Sequence, residues 1–221
     1  MPKERHSNEI KLWAPEEIWC KKRGTGVIAC GKIYYKRLWK NIRYPLGKIN
    51  EDEFTTHKIL FECNKIALIE NTLYFYRQTP GSIMRTQWTP QRLDGIAALK
   101  EQYHFFLNIG ANLAVLTTKK EYTHVIYMNL RGARKAKADK NLCNNLKQML
   151  KENINKLGTD IGISVFKHPD YYRELYPFFA PVFDLLILFH ALKDGGISNT
   201  AERIKMKLLR IIANLKCRKY Q

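Results

Sequence analysis

The change of character at Thr89-Pro90 constrains this chain more than any other feature. Upstream, short apolar segments alternate with turn residues and aromatics, the pattern of brief strands and tight loops. Ile66–Ile69 and Leu73–Tyr76 have strand character, with Glu70-Asn71 as the turn between them. Phe54–Asn64 reads as a helix with Phe54, His57, Ile59, Leu60 and Cys63 on roughly one face, and Glu51 and Asp52 suit the positive end of its dipole. Downstream the period becomes helical. Thr89 is a good N-cap with Pro90 in the first position, and Leu93, Ile96, Ala97 and Leu99 follow. Asn141–Leu157 repeats the period through Leu142, Leu146, Met149, Leu150 and Ile154, and Thr200–Leu215 through Ile204, Leu208, Ile211, Ile212 and Leu215. Pro177, Pro181 and Gly195-Gly196 break the region between. The expected fold class is α/β: a small mixed sheet within residues 1–88, then a mainly α-helical carboxyl-terminal extension over 89–221.

With 45% hydrophobic residues among 221, the chain has enough apolar material to fold. Its five cysteines are an odd number with no CxxC, so the pattern suggests neither a disulfide framework nor zinc, and fits a reducing cytoplasm. The first residues, MPKERHSNEIK, contain no apolar core of a secretory signal. The longest apolar stretch, Val182–Leu192, includes Asp184 and His190 and falls short of the roughly 20 residues a membrane span needs. Lys and Arg number 38 against 20 Asp and Glu, a net charge of +18 that must act on anions: nucleic acid, anionic lipid or phosphorylated substrates. The excess is densest in Arg131–Lys140 and Lys205–Lys219. Lys205, Lys207 and Arg210 flank the last apolar period, which fits either a packed terminal helix or a basic helix on the inner membrane surface.

The block from Gly31 to Arg85 carries the chemistry. Lys32–Trp39 reads K-I-Y-Y-K-R-L-W, which has the form K-x-Y-(K/R)-(R/K)-x-(F/W) with one extra residue, Tyr35, after Tyr34; Tyr44–Asp52 has the form (F/Y)-P-x-G-x-x-x-E-D; Leu73–Arg77 reads L-Y-x-Y-R; Gly81–Met84 reads G-S-I-M. In that order these motifs resemble bacterial family 2 glycosyltransferases of GT-A type, on their acceptor side. The resemblance covers about 55 residues and implies a partial GT-A domain over 1–88. It makes Asp52 the catalytic base, which takes the proton from an acceptor hydroxyl during inverting sugar transfer. It places Glu51 beside it to bind the acceptor or orient Asp52, and Lys32 and Tyr34 at the donor–acceptor cleft. Arg77, Ser82 and Arg85 would lie on a loop that closes over the nucleotide, where guanidinium groups pair with diphosphate oxygens. Where the family often has asparagine before the lysine, this chain has Gly31.

The family's nucleotide-binding half begins with a strand leading to P-x-Y-N and carries an Asp-x-Asp motif that holds a divalent ion such as Mg or Mn. Neither motif occurs in these residues, so no metal ligand is assigned here. The implied partners are a nucleotide-sugar donor, a cell-envelope or capsular glycan acceptor that is often lipid-linked, and a nucleotide-binding chain if the halves are separate. Alone, the chain is expected not to turn over sugar nucleotide, and its unpaired strands are expected to promote self-association. Gly26–Lys32 matches the first seven positions of a P-loop, but Ile33 lacks the hydroxyl needed at the eighth. The rival function is a non-catalytic nucleic-acid-binding protein, motivated by the +18 charge and the abundance of Tyr, Phe and Trp. No helix-turn-helix, RNP-type or zinc motif supports it.

Overall fold

The computed structural model describes residues 10–77, 79, 82, 86–157, 168–176, 180, 183–184 and 186–187. The chain divides into two compact units, Met1–Cys143 and Asn144–Gln221. In chain order the first holds β1 (Ile10–Trp13), α1 (Pro15–Lys21), α2 (Arg23–Val27), α3 (Glu51–Phe61), β2 (Ile66–Ile69), α4 (Asp94–Asn108) and α5 (Asn112–Lys135). A helix α6 (Lys140–Leu157) begins before the division and runs into the second unit, which also contains α7 (Pro169–Leu175). Short 3-10 turns at Lys36–Trp39 and Pro90–Leu93 complete the described elements.

The sheet among the described residues has two antiparallel strands, with Ile10 opposite Ile69, Leu12 opposite Ala67 and Trp13 opposite Ile66. A small sheet in a mainly helical chain is as expected from the sequence, but its two strands are not the pair read there. Ile66–Ile69 is a strand as read, but Leu73–Tyr76 is irregular chain without a ladder partner among the described residues, and Phe75 is 87% exposed. Its partner role is taken by Ile10–Trp13, whose brief alternation follows a charged stretch and was not read as a strand. The faces of this sheet are unequal. Trp13 and Ile66 pack against the core, whereas Ile10, Leu12, Ala67 and Ile69 form an apolar outer face left exposed.

The core of the first unit is aromatic. Trp19, fully buried on α1, meets Phe106 at 5.3 Å and the His57 ring at 6.0 Å between ring centres. Ile18, Val27, Leu60, Ala111, Ala114 and Val115 fill the space around them. Gly26 and Val27 belong to this packing, with Gly26 against the Ile18 and Trp19 side chains, so the P-loop-like stretch starts inside the core.

Helix α3 starts at Glu51, three residues before the predicted Phe54, and stops at Phe61. Phe54 through His57 are all buried in succession, so no clean apolar stripe marked its start. Thr89 accepts the Arg92 amide through its carbonyl at 3.0 Å and makes no side-chain cap; α4 proper begins at Asp94. Helix α5 lay hidden in the sequence because Thr118, Thr123 and Asn129 sit on its buried side. Thr123 and Asn129 return their polar groups to carbonyls one turn back, at 3.0 and 2.9 Å, which lets them stay inside the packing. Gly132 in the same helix lies under Trp88: a Cβ there would come within 2.4 Å of Trp88 Cδ1. The Trp88 indole donates to Asn129 Oδ1 at 2.9 Å, fixing residues before α4 onto α5. In the second unit, α6 buries Leu146, Leu150 and Ile154, matching the predicted period, and Arg173 on α7 donates to Asp184 at 2.7 Å. The predicted helix at Thr200–Leu215 lies outside the described residues.

The His57 imidazole is fully buried among Trp19, Phe105 and Phe106, and neither ring nitrogen has a hydrogen-bond partner. Burial, reinforced by the Lys58 charge, lowers its pKa to about 3. The unfolded chain takes up this proton near pH 6.5, so between pH 6.5 and 3 the unfolded state binds more protons and stability falls on acidification. Between pH 7 and pH 5 this group should cost about 2 kcal/mol. A His57→Leu variant should lose that part of the slope in a Tm–pH series; an unaltered slope would refute the assignment.

Candidate active site

The (F/Y)-P-x-G-x-x-x-E-D segment folds as a double turn that delivers its last two residues to the first turn of α3. Gly47 (φ 72°) and Asn50 (φ 58°) both take left-handed backbone, which glycine and asparagine tolerate best. Between them, Lys48 pairs with Asp94 at 2.8 Å and the Ile49 amide donates to the same carboxylate at 3.3 Å. Asp94, the first residue of α4, thus moors the loop that presents the acidic residues.

The three consecutive carboxylates then part company. Glu53 turns inward to Arg23, whose Nη1 and Nη2 donate at 3.1 and 2.6 Å to its two oxygens. Gln102 donates to the Glu53 carboxylate at 2.7 Å and to its backbone carbonyl at 2.5 Å, and accepts from Arg23 at 3.2 Å. Both charged side chains are near one-eighth exposed, at 13% and 15%, so this is a desolvated, bidentate pair. Glu51 points outward and is exposed. Asp52 does neither. It is half-buried, forms no ion pair among the described residues, and accepts the Glu53 amide at 2.9 Å. Burial pushes its pKa above the ordinary carboxylate range, and the charges of Glu53 and Glu51 add to that, while amide contacts from Glu53 and Ala29 oppose it.

Around Asp52 stand three other groups from the motif block. Lys32 has its amine lowered in pKa by burial, with Cys30 and Asp52 pulling it back up, and it donates to the Ile28 carbonyl. The Tyr34 hydroxyl is buried without a hydrogen-bond partner among the described residues. Its pKa is raised by burial first, with smaller contributions from Tyr44, Cys63 and Asp52, so it remains a phenol that can donate. Tyr44 is raised likewise by burial, with Asp52 and Glu51 adding to it. Tyr34, Trp39 and Tyr44 form a ring-to-ring wall at 5.5 and 5.3 Å. Gly31 has φ 68°, so the departure from asparagine keeps a residue suited to left-handed backbone immediately before Lys32.

The structure therefore brings Asp52, Lys32 and Tyr34 together, with Glu51 at the solvent side. Arg77 is exposed on irregular chain and Ser82 half-buried, its amide 3.3 Å from the Thr79 carbonyl; Arg85 lies outside the described residues. No group of three or more His, Cys, Asp or Glu among the described residues could hold a metal ion, and Glu53 is committed to Arg23. Four residues outside the sequence reading prove structural to the site: Arg23, Glu53, Gln102 and Asp94. Their pairing joins positions far apart in the chain, and no local pattern in the sequence signals it. A cleft of about 430 Å³ opens nearby between Asn50, Trp88, Arg92, His124, Met128 and Asn129, and Asp52 is not part of its lining.

Two curated proteins share part of this sequence, both from Streptococcus pneumoniae serotype 4 (strain ATCC BAA-334 / TIGR4). Glycosyltransferase GlyA is 31% identical over 85 residues, 38% of this chain and 12% of that protein. Glycosyltransferase GlyG is 37% identical over 57 residues, 26% of this chain and 19% of that protein. The chain thus spans less than a fifth of the length of either relative. No protein-family model matches the chain, and no solved structure does.

The different settings of neighbouring carboxylates predict opposite effects on stability. Glu53→Ala leaves Arg23 buried without its partner and should cost about 3–5 kcal/mol. Asp52→Asn removes a charge that burial disfavours and should leave Tm at pH 7 unchanged or raised. Thermal unfolding of both variants checks this, and a larger loss at Asp52 than at Glu53 would reverse the assignment.

Proposed function

We propose that this chain supplies the acceptor side of an inverting, family 2-like GT-A glycosyltransferase, with Asp52 as the general base. One observation carries the reading: Asp52 is half-buried at a helix start, without an ion pair among the described residues and within electrostatic reach of Lys32 and Tyr34, while the carboxylate next to it is locked. The partial likeness to two streptococcal glycosyltransferases supports the same class.

In the proposed step, an acceptor hydroxyl of a cell-envelope or capsular glycan attacks the anomeric carbon of a nucleotide-sugar donor. The new C–O bond forms as the bond to the diphosphate breaks, and the bonding pair leaves on the diphosphate. Asp52 takes the hydroxyl proton, and a pKa raised by burial makes it a stronger base than an exposed aspartate. Tyr34 donates a hydrogen bond to the substrate, and Lys32 offers positive charge at the cleft. Glu51 contacts the acceptor from the solvent side, and Arg77, Ser82 and Arg85 meet the leaving diphosphate. A divalent ion, where the donor needs one, is held by the nucleotide-binding body and not by the described residues.

That body, in the same polypeptide or another, is the partner this reading requires. The exposed apolar sheet face of Ile10, Leu12, Ala67 and Ile69 and the bare Leu73–Tyr76 stretch supply a surface for it. Without such cover the same surface favours self-association.

The test is a transfer assay in which a nucleotide-sugar-binding chain or domain is present with this one. Asp52→Asn should lower kcat about 100-fold to 10,000-fold while leaving donor binding nearly intact. Wild-type kcat/KM should rise with pH through the raised Asp52 pKa and then level off, because only the carboxylate form accepts a proton. Retention of more than about a tenth of the activity by Asp52→Asn would defeat the proposal.

A further inference from the structure

From Gln102 to Thr118 the sequence contains no Asp, Glu, Lys or Arg, although charged residues make up 26% of the chain. The structure folds this run into the tip of a helical hairpin. Helix α4 ends at Asn108, a tight turn with Gly110 at φ 72° reverses the chain, and α5 starts at Asn112. Phe106, Ala111, Ala114 and Val115 face the core. The other side of the tip carries Leu107, Ile109, Leu113 and Leu116, which are 46%, 49%, 61% and 41% exposed.

We infer that this tip is a docking surface for an anionic lipid bilayer, into whose headgroup region Leu107, Ile109, Leu113 and Leu116 insert. Charge complementarity selects this occupant. The chain carries +18 overall, and Lys119 and Lys120 follow the apolar run one turn beyond Leu116. Of the carboxylates nearest in sequence or contact, two are paired with lysines, Glu16 keeps its charge while accepting amides, and Glu121 follows Lys120, so the positive balance is that of the chain as a whole. Glu16 accepts the Leu113 and Ala114 amides at 2.9 and 3.1 Å, Glu17 pairs with Lys21 at 2.7 Å, and Glu101 pairs with Lys58. A second copy of so basic a chain is repelled from this face, whereas anionic headgroups are attracted to it. No helix among the described residues is long and apolar enough to cross a membrane, so the tip lies in the interface and does not span. The surface is separate from the Asp52 site, and its occupancy does not depend on the catalytic reading.

The experiment measures partition of the full chain onto vesicles of equimolar phosphatidylcholine and phosphatidylglycerol, and onto phosphatidylcholine alone. Wild type should bind the anionic vesicles preferentially. Leu113→Gln with Leu116→Gln should weaken that partition by about tenfold or more, since two apolar side chains leave the bilayer. Both positions are exposed, so the fold should tolerate the change. An Ile109→Trp variant should show a blue-shifted emission on anionic vesicles and quenching by bromine-labelled lipid. Unchanged partition of the double variant, or an Ile109→Trp emission that stays that of water, overturns the inference. So does loss of binding only in Lys205→Glu/Lys207→Glu/Arg210→Glu, or a double variant that turns a dimer into a monomer while still binding vesicles.

Discussion

The pairing of Arg23 with Glu53, bridged by Gln102, is the interaction on which the rest of the first unit depends. It joins α2, α3 and α4 through three side chains, and Gln102 also holds the backbone carbonyl of the residue it pairs with. Arg23 lies 5.0 Å above the Trp19 ring as well, so the same guanidinium links the ion pair to the aromatic core. Because Glu53 is fixed from both its ends, the helical turn that carries Asp52 has one rotation available to it. A desolvated ion pair of this kind is weak as a source of net stability and strong as a specifier of geometry. Here the geometry specified is that of the adjacent carboxylate.

The backbone course of the acidic segment has local causes that the sequence displays. A proline, a glycine and an asparagine spaced along Tyr44–Asp52 encode two left-handed turns, and Gly31 encodes a third before Lys32. Such backbone demands leave a mark on the residue types that can satisfy them. The division of labour between Asp52 and Glu53 was not legible, since it rests on Arg23 and Gln102, which are far from α3 in sequence and ordinary in type. The same distinction explains the sheet. Ile66–Ile69 announces itself by composition, but whether Leu73–Tyr76 or Ile10–Trp13 lies beside it is decided by packing of Trp13 on the core. Helix α5 was obscured by polar residues whose hydrogen bonds are satisfied within the helix.

The first unit tolerates several electrostatic costs around Asp52. A carboxylate, an amine and two phenols are each shifted by burial in the direction that disfavours charge. The Tyr34 hydroxyl has no hydrogen-bond partner among the described residues. Stability alone would favour replacing or solvating these groups, so their retention fits a place where a ligand completes the hydrogen bonding. His57 is the contrasting case: buried, neutral and surrounded by rings, it fills space and its titration acts on folding.

The indole of Trp88 resting on Gly132 sets a boundary on what lies before it in the chain. Residues that leave β2 and pass through Arg77 and Ser82 must return to a point nailed to α5 by a hydrogen bond and by the absence of a methyl group. The chain between β2 and Trp88 is therefore held at both ends, by the strand ladder on one side and by the indole on α5 on the other. Any residue added to or removed from that span has to be absorbed between those two fixed points, without altering a single side chain beside Asp52.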